Sequence, residues 1–468
     1  MALPRTLPRW LVLAGLLLTA CTSGDSQPAS NAIQRVVVVH LDTTRVDALG
    51  SYGGVDATPN IDALAAEGLR FTNAIAPTPR TSPSIAAFMT GRLSHRSGVY
   101  TVGDTLPQGF TTLAEILKEN GFATGGFTGN FVVANHSDGE SVGYDQGFDV
   151  YEAVLDDVEV PTDVDPRRFA RDNAAALTKE ALSFVREHAD ERFFLWLLFL
   201  DPHAPYVPPA PYDTMFARDP SVLSRQQRLD PDDIDKQALV GGELDAAYYI
   251  SRYYGEVRLV DESIGALRRV VDALPGKTLW IVTADHGESL GERNIWFNHG
   301  YSLSHTCVDV PLILSCDGVV PVGTSDALAA NVDIAPTILD LLGLSSAPLG
   351  SDGRSLRAAF SDPDPWPKRM VPINVAQGAR WRGVRTANWS LQTKLHPRSG
   401  MDLQTLLFHV KKDPTEDRNV AAKQPHQLRR LKRFERKWFL KMGGHAPQKS
   451  IRSDPEMAAR LRALGYVD

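Results

Sequence analysis

Short apolar runs alternate with amphipathic segments along most of the chain. The runs are apolar at nearly every position, as strands buried on both faces of a sheet require. Between them, apolar residues recur every three or four positions, the spacing of a helix face packed on a sheet. This alternation predicts an α/β fold with a mostly parallel sheet covered by helices. The clearest strand-like runs are RVVVVHLD (35–42), RFFLWLLFLD (192–201), TLWIVTAD (278–285) and VPLILS (310–315), and the clearest helical ones are 58–68, 111–121, 173–190 and 253–274.

The pattern changes after about Leu344, where a Pro-rich link is followed by short strand-like pieces and a basic helix. We therefore expect a smaller α+β subdomain at 346–468, after a catalytic domain at 35–345. The basic helix, QLRRLKRFERKWFLK, is most simply a solvated face, and contact with anionic lipid headgroups is the alternative. Residues 158–166 and 219–237 are polar, Pro-containing segments typical of surface insertions, where a lid over a substrate would lie.

The N-terminal segment predicts export. Two arginines precede an apolar run that is too short to span a bilayer but typical of a secretion signal. The sequence LTAC, ending at Cys21, resembles the lipobox of bacterial lipoproteins, which implies a signal at 1–21, a lipidated Cys21 and a flexible tether at 22–34. We expect an exported protein of the bacterial cell envelope, anchored to a membrane through Cys21. A plain cleaved signal and an unprocessed anchor are the alternatives.

The net charge of the chain limits the classes of partner that it can bind. The net charge of −7 over 468 residues argues against a nucleic-acid partner, which would require a strongly basic face.

Cys307 and Cys316 are separated by eight residues of predicted strand, which would hold their sulfurs roughly 25 Å apart. A disulfide needs Cα atoms within about 7 Å, so we predict two buried free thiols.

Three of the four strand-like runs end on an aspartate: Asp42, Asp201 and Asp285. In open α/β sheets ligands bind at the carboxyl ends of the strands, so all three predict one crevice. His286 follows Asp285 directly. Two carboxylates and an imidazole are suitable ligands for one divalent cation, although a single Asp after a strand is more often a cap or turn residue.

The stretch PRTSPSIAAFMTGR (79–92) places hydroxyls at the start of an apolar helix-like segment. Capping is the simplest role, because hydroxyl oxygens accept from free first-turn N–H groups and Pro suits the first turn. Thr81 has a second possible role. The Thr81 hydroxyl could attack an anionic ester if a cation held by Asp42, Asp285 and His286 lay beside it. The free N–H groups of the first helical turn could bind the oxygens of that ester.

Histidines near the predicted crevice are candidates for proton transfer. His203 lies two residues after Asp201 in DPHAPY, and His299 follows the Asp285-His286 pair by a short segment. Either could protonate or stabilise a departing oxygen. A buried ring bonded to a backbone carbonyl is the alternative for both, and it is the favoured interpretation for His305.

These segments together resemble the sulfatase family of the alkaline-phosphatase superfamily, in order over nearly all the mature chain. The resemblance implies a doubly wound α/β core, a smaller C-terminal α+β subdomain, and hydrolysis of sulfate or phosphate esters through a metal-activated nucleophile. It rests on LDTTRVDALGSYGG, TPNIDALAAEGLRFTNA, TSPSIAAFMTGRLSHRSGV, DPHAPY, TADHGESLGE, HGYSLSHTCVDVPLIL, VDIAPTILDLLGL, DGRSL and LFHVKKDPTEDRNVA.

The chain also departs from the family's pattern. Sulfatases carry a Cys or Ser that matures to formylglycine, followed by x-Pro-x-Arg, whereas this chain has Thr81 and Ile85 at those positions. Threonine is not a substrate for that maturation. The expected Asp-Asp pair near the start is Asp42-Thr43, and the Gly-Lys segment is not evident in GGFTGNFVV (125–133). Thr81 instead resembles the threonine nucleophile of the superfamily's phosphodiesterases and pyrophosphatases.

We therefore predict one divalent cation (Ca²⁺, Mn²⁺ or Zn²⁺) held by Asp42, Thr81, Asp285 and His286, with catalysis by Thr81, His203 and His299. The substrate would be an anionic ester on a sulfated or phosphorylated glycan, lipid or small molecule. Two alternatives remain open. One is a transferase that passes the group to an envelope acceptor. The other is a catalytically silent lipoprotein that binds anionic glycans, favoured by Ile85 and the missing Lys.

Overall fold

A computed structural model describes residues 32–135, 141–154, 173–361, 368–376 and 380–440. The helices are α1 (Pro59–Ala66), α2 (Thr81–Thr90), α3 (Ser94–Ser97), α4 (Leu113–Glu119), α5 (Asn173–Glu187), α6 (Tyr212–Met215), α7 (Pro220–Leu223), α8 (Ala246–Val271), α9 (His305–Val308), α10 (Ile334–Leu341) and α11 (Pro425–Phe439). The strands are β1 (Ile33–Leu41), β2 (Leu69–Phe71), β3 (Ala74–Ile75), β4 (Ala123–Thr128), β5 (Val150–Ala153), β6 (Phe193–Phe199), β7 (Lys277–Ala284), β8 (Ser289–Leu290), β9 (Trp296–Asn298), β10 (Leu312–Ser315), β11 (Gly323–Ser325), β12 (Ala329–Ala330), β13 (Val371–Val375), β14 (Trp381–Arg385), β15 (Ser390–Leu395) and β16 (Asp402–Phe408).

The core is an eight-stranded sheet in the order β11-β2-β10-β7-β1-β6-β4-β5. Strands β7, β1, β6, β4 and β5 run parallel, and β10 runs antiparallel to both of its neighbours. All seven residues of β6 are buried, which explains why its sequence is uniformly apolar instead of alternating. The predicted α/β fold with a mostly parallel sheet is confirmed, and all four predicted strands are present.

The pairing register brings distant strand ends to one level. In β1, Leu41 pairs with Phe199 of β6 on one side and with Ala284 of β7 on the other. The residues that follow these three positions therefore leave the sheet together at its carboxyl edge. Asp42 and Asp285 are two of them, and a hydrogen bond from Asp42 N to Phe199 O (2.9 Å) extends the pairing by one residue.

The C-terminal subdomain is a four-stranded antiparallel sheet, β13-β14-β15-β16, with α11 packed on β14 and β15. Leu431 on α11 is buried against Val384, Leu391 and Leu407 of this sheet. The predicted α+β character of this part is confirmed, and so is the apolar packing of the basic helix through its leucine and aromatic residues. Contact of α11 with lipid headgroups stays a prediction.

The structure tests some of the predictions about the terminal segment, the insertions and the cysteines, whereas others fall on residues that it does not describe. The signal and lipobox at 1–21, residues 22–31 of the tether predicted at 22–34, and the insertion at 158–166 lie outside the described residues. Residues 33 and 34 of the predicted tether belong to β1, because the core sheet begins earlier than the composition indicated. The insertion at 219–237 is a surface segment of short helical turns that still buries Leu229 and Ile234. Both cysteines, Cys307 and Cys316, are buried and free, as predicted. None of the helices in the described ranges has the length and apolar composition needed to cross a bilayer.

Truncation of Leu431 tests whether α11 depends on the apolar cluster beneath it. We expect Leu431→Ala to lower the free energy of unfolding by about 2–5 kcal/mol, because it leaves a cavity among Val384, Leu391 and Leu407. Denaturant unfolding measures the change. Arg430→Ala, at an exposed position of the same helix, should change stability by less than about 0.5 kcal/mol. Equal effects of the two substitutions would contradict this packing.

Candidate active site

The candidate site lies at the carboxyl ends of β1 and β7. Asp42 directly follows β1, and Asp285 directly follows β7. The backbone N–H of Thr43 donates to Asp285 Oδ1 at 3.2 Å, so the turn after β1 is fastened to the carboxylate after β7. Thr43 has a φ of +49°, which is unusual for a residue with a branched side chain. Its hydroxyl donates to Pro202 O at 2.8 Å, which holds this conformation in place.

Helix α2 is fixed to the same strand end by side chains. Ser84, in the first turn of α2, donates to the carbonyl oxygen of Asp285 at 2.6 Å. The Asn331 amide donates both to Ser84 Oγ at 3.0 Å and to Ala284 O at 3.2 Å. All ten residues of α2 are buried, and the helix ends where Gly91 adopts a left-handed conformation with a φ of +64°. Thr81 is therefore held at a fixed position beside the end of β7.

Asp42, Asp285 and His286 form a group of potential metal ligands. One ligand atom from each lies within 4.8 Å of the other two, and all three residues are buried. The Asn130 amide donates to Asp42 Oδ2 at 2.6 Å. The remaining oxygens, Asp42 Oδ1 and Asp285 Oδ2, have no donor in good hydrogen-bond geometry among the described residues, although the Thr81 hydroxyl lies near enough to Asp285 to lower its pKa. Buried carboxylate oxygens without donors are a suitable environment for a cation, so these residues fit a divalent metal ion.

The imidazole of His286 has a defined orientation. Its Nδ1 lies 3.0 Å from the carbonyl oxygen of Gly287, which can accept a hydrogen bond only from a protonated Nδ1. In the neutral ring Nε2 then carries the lone pair, as metal ligation requires. Nε2 lies 3.4 Å from Asp285 Oδ2 and 3.4 Å from Thr81 Oγ. The hydroxyl of Thr81 thus faces the candidate metal group.

The electrostatics of the group also favour a bound cation. Burial, and then the charge of Asp285, raise the pKa of Asp42 well above its ordinary value. Burial likewise raises the pKa of Asp285 and lowers the pKa of His286. Two neighbouring buried carboxylates repel each other when both are ionised, and a divalent cation between them removes that cost. The neutral form of His286 is the form that binds a metal.

His203 and His299 complete the same cluster of rings. The ring centroid of His299 lies 4.4 Å from that of His286 and 5.1 Å from that of His203. His203 Nδ1 lies 2.7 Å from Ala204 O, so its Nε2 is the unprotonated nitrogen of the neutral ring. Burial, followed by the charges of His286 and His203, lowers the pKa of His299 well below its ordinary value. The buried Glu288, whose pKa burial raises, contacts His299 Nδ1 at 3.4 Å.

Two residues from the sequence prediction lie elsewhere. Asp201 was expected to point into the crevice with the other strand-end aspartates, but its Oδ1 accepts from Ala174 N at 2.9 Å. It therefore interacts with the N-terminal end of α5, which is the capping role expected of most strand-end aspartates. His305 begins α9, and its backbone N–H donates to Glu416 of the C-terminal subdomain. His305 is only partly buried and its Nδ1 has no hydrogen-bond partner among the described residues, so the expected buried ring bonded to a backbone carbonyl is not observed at this nitrogen.

Three further residues that the structure places at the candidate site were not recognised in the sequence. Asn130 lies in GGFTGNFVV, at the end of β4, where a strand-end polar residue next to the predicted crevice was an available signal. Glu288 follows the DHG sequence and receives a hydrogen bond from Tyr206 at 3.2 Å. Arg80 immediately precedes Thr81 and is buried, and its positive charge contributes to the low pKa of His299. Its sequence position alone gave no indication of which way the side chain points.

Comparison with known proteins decides the family. A model of the sulfatase family matches residues 34–344 of the 468. The chain belongs to the sulfatase family. It is 26% identical over 414 residues to an ulvan-active sulfatase of Formosa agariphila, an alignment that covers 83% of this chain and 77% of that protein. The chain is accordingly a sulfatase-family hydrolase, as its sequence motifs indicated.

Solved structures show the same fold. A sulfatase-fold protein solved with D-glucosamine-2-N,6-O-disulfate superposes with a TM-score of 0.69 at 21% identity, covering 89% of this chain and 99% of that one. A phosphonate monoester hydrolase of Silicibacter pomeroyi also gives a TM-score of 0.69, at 22% identity, covering 87% of this chain and 94% of that one. Both the α/β core and the C-terminal subdomain are therefore features of the sulfatase fold.

Replacing Asp42 by Asn should have opposite effects on the metal-free and the metal-loaded protein. Without metal, we expect a melting temperature about 2–4 °C higher, because one of two repelling carboxylates is removed. The gain should grow as the pH rises from about 4. A carboxyl with a raised pKa contributes stability at low pH that is lost as the pH rises through its folded-state pKa. With metal, the stabilisation seen in the unaltered protein should disappear.

Calorimetry in EDTA and in Mn²⁺ measures both effects. Asp352→Asn is the matched control, because Asp352 is bonded to Leu93 N and Arg96 outside the site. It should lower stability modestly and equally with and without metal. If Asp42→Asn destabilises the metal-free protein and leaves the metal response intact, Asp42 is not a ligand.

Proposed function

We propose that this protein is a metal-dependent hydrolase of sulfate esters, with phosphate esters as further substrates, and that Thr81 Oγ is its nucleophile. The observation that carries the proposal is the position of Thr81. Its hydroxyl lies at the first residue of α2, 3.4 Å from His286 Nε2 and beside two buried carboxylates. A free threonine hydroxyl is a weak nucleophile, and an adjacent cation is one of the recognised ways to activate it.

Asp42, Asp285, His286 and Thr81 would hold one divalent cation, Ca²⁺, Mn²⁺ or Zn²⁺. When bound, the cation would lower the pKa of the hydroxyl and stabilise negative charge on the transferred group. The surrounding residues fix the ligands: Asn130 holds Asp42 through one oxygen, and Gly287 O fixes the tautomer of His286. Such hydrogen bonds to the ligands orient them for binding.

Thr81 Oγ would lose its proton to solvent and attack the sulfur or phosphorus atom, and the bond to the departing oxygen would break as that oxygen takes up a proton. His299 is neutral in the substrate-free site at neutral pH because its pKa is lowered, so it would stabilise the departing oxygen through an N–H hydrogen bond. His203 would donate after its Nε2 has taken up a proton from solvent. Water would then cleave the ester formed on Thr81 and release the inorganic anion.

The substrate class is proposed from the relatives. The ulvan-active sulfatase and the structure with glucosamine disulfate both concern sulfated sugars. The phosphonate monoester hydrolase shares the fold and acts on a phosphorus centre. We propose a sulfated glycan as the physiological ester, with the threonine nucleophile extending the chemistry to phosphate. Attachment to a membrane through a lipidated Cys21 belongs to the same proposal.

Removal of the hydroxyl tests the nucleophile. We expect Thr81→Ala to lower kcat by at least about 10³-fold on aryl sulfate, phosphate monoester and phosphonate substrates, because the substitution removes the oxygen that forms the covalent ester. Thr81→Ser should keep part of the activity. Turnover with metal-loaded protein, and mass spectrometry of the acid-quenched Thr81 peptide, are the measurements.

Ser82→Ala is the matched control for this experiment. The Ser82 hydroxyl donates to Val132 O and accepts from Gly103 N, away from the metal group, so most activity should remain. Undiminished turnover in Thr81→Ala would rule out Thr81 as the nucleophile. A covalent intermediate that added alcohols or glycans capture in preference to water would indicate a transferase instead of a hydrolase.

A further inference from the structure

Arg80 is the buried residue that directly precedes the proposed nucleophile, and its side chain lies near the exposed Tyr301. The exposed fraction falls from 44% at Tyr301 through 6% at Arg80 to 0% at Thr81. The Arg80 guanidinium lies 5.7 Å from the ring centroid of Tyr301. Its positive charge also acts on His286, His299 and Asp235, so it is close to the metal group on one side and to the surface insertion on the other.

The backbone of Gly300 makes room for this side chain. A Cβ atom at position 300 would overlap Nε and Cζ of Arg80, so only glycine permits the observed packing. Gly300 also has a φ of +75°, which disfavours other residues independently. The loop after β9 is thus shaped to hold the guanidinium of Arg80 next to His299.

Apart from the proposed divalent cation, the helix that carries Thr81 supplies no positive charge of its own. Helix α2 contains no basic residue, and Ile85, four residues after Thr81, is buried in the apolar core. Arg45, whose charge acts on the buried Glu288, forms ion pairs with Asp47 and Glu292. An anionic ester entering a site with several carboxylates meets unfavourable charge, which the proposed divalent cation and a nearby basic side chain would offset together.

We propose that Arg80 is an anion-binding residue of this site, which contacts the non-bridging oxygens of the sulfate or phosphate group that Thr81 attacks. This inference rests on the proposed function and adds the residue that positions the anion. The guanidinium presents donors in a planar fork that matches the oxygens of a tetrahedral anion. Because Arg80 directly precedes the proposed nucleophile, its guanidinium places positive charge next to the reacting group. No basic residue on α2 is then needed for this purpose.

Titration calorimetry of the metal-loaded protein with inorganic sulfate and inorganic phosphate tests the proposal without turnover. We expect Arg80→Gln to raise the Kd of both anions about tenfold to a hundredfold, as for loss of a charged hydrogen-bonding group. Arg80→Lys should show a smaller loss, because it keeps the charge but not the fork. Metal affinity should stay the same or increase, since a positive charge near His286 has been removed.

The Gly300→Ala variant tests the position of the Arg80 guanidinium without changing its charge. It retains Arg80 but displaces the guanidinium, and it should weaken anion binding while leaving metal affinity intact. Arg96→Gln is the matched control, because Arg96 pairs with Asp352 outside the site; it should change neither affinity. If Arg80→Gln does not fold, Gly300→Ala and Arg80→Lys decide the question.

Three outcomes would overturn the proposal: unchanged anion affinity in the Arg80 and Gly300 variants, a parallel loss of anion and metal affinity, or no anion binding by the metal-loaded parent protein. The second outcome would show a purely structural role. Failure here is distinct from failure of the proposed nucleophile. Thr81→Ala can be active, which refutes the nucleophile, while Arg80 still determines the affinity for inorganic anions.

Discussion

The arrangement of the site depends on two buried carboxylates that approach each other at the ends of adjacent parallel strands. Asp42 and Asp285 are fully buried, and the charge of Asp285 adds to burial in raising the pKa of Asp42. An ionised pair in that position is unfavourable in a protein that binds no cation. The neighbouring groups are arranged around this constraint: Asn130 satisfies one oxygen of Asp42, and the backbone N–H groups of Thr43 and His286 satisfy one oxygen of Asp285.

Rigid elements hold the carboxylates and the hydroxyl in register. The strand that carries Asp42 is central and is paired on both sides, so its end cannot shift without disrupting two ladders. The left-handed conformation of Thr43 is kept by hydrogen bonds to Pro202, Asp285 and Tyr253. A strained residue at the centre of such a network is typical of a site whose geometry matters for function. Helix α2 is bonded to the end of β7 through Ser84, which fixes Thr81 beside the carboxylates.

Two segments that are distant in sequence contact the segment from Arg293 to His305, which carries His299 and Gly300. Asp235 of the surface insertion accepts a hydrogen bond from Asn298, the residue before His299. From the C-terminal subdomain, Glu416 accepts from Arg293 at 3.0 Å and from the backbone of His305 at 3.1 Å. The segment that carries His299 and Gly300 therefore lies between two regions that are remote in sequence. Changes in either region can alter the entrance to the site without touching the metal group.

The sequence by itself determined the class of the core and the protein family. Uniformly apolar runs that end on Asp42 and Asp285 identify buried parallel strands and their functional edge, because burial and strand polarity are encoded locally. From the family motifs, Thr81 is predicted to occupy the nucleophile position, and Ile85 departs from the family pattern. Tertiary structure decided which polar strand-end residues join the group: Asn130 does, whereas Asp201 binds the end of α5. It also decided the direction of Arg80, which depends on the space left by Gly300, 220 residues later in the chain. A strand end can be predicted from neighbouring residues, but the direction of a long side chain depends on packing with segments that the local sequence does not contain.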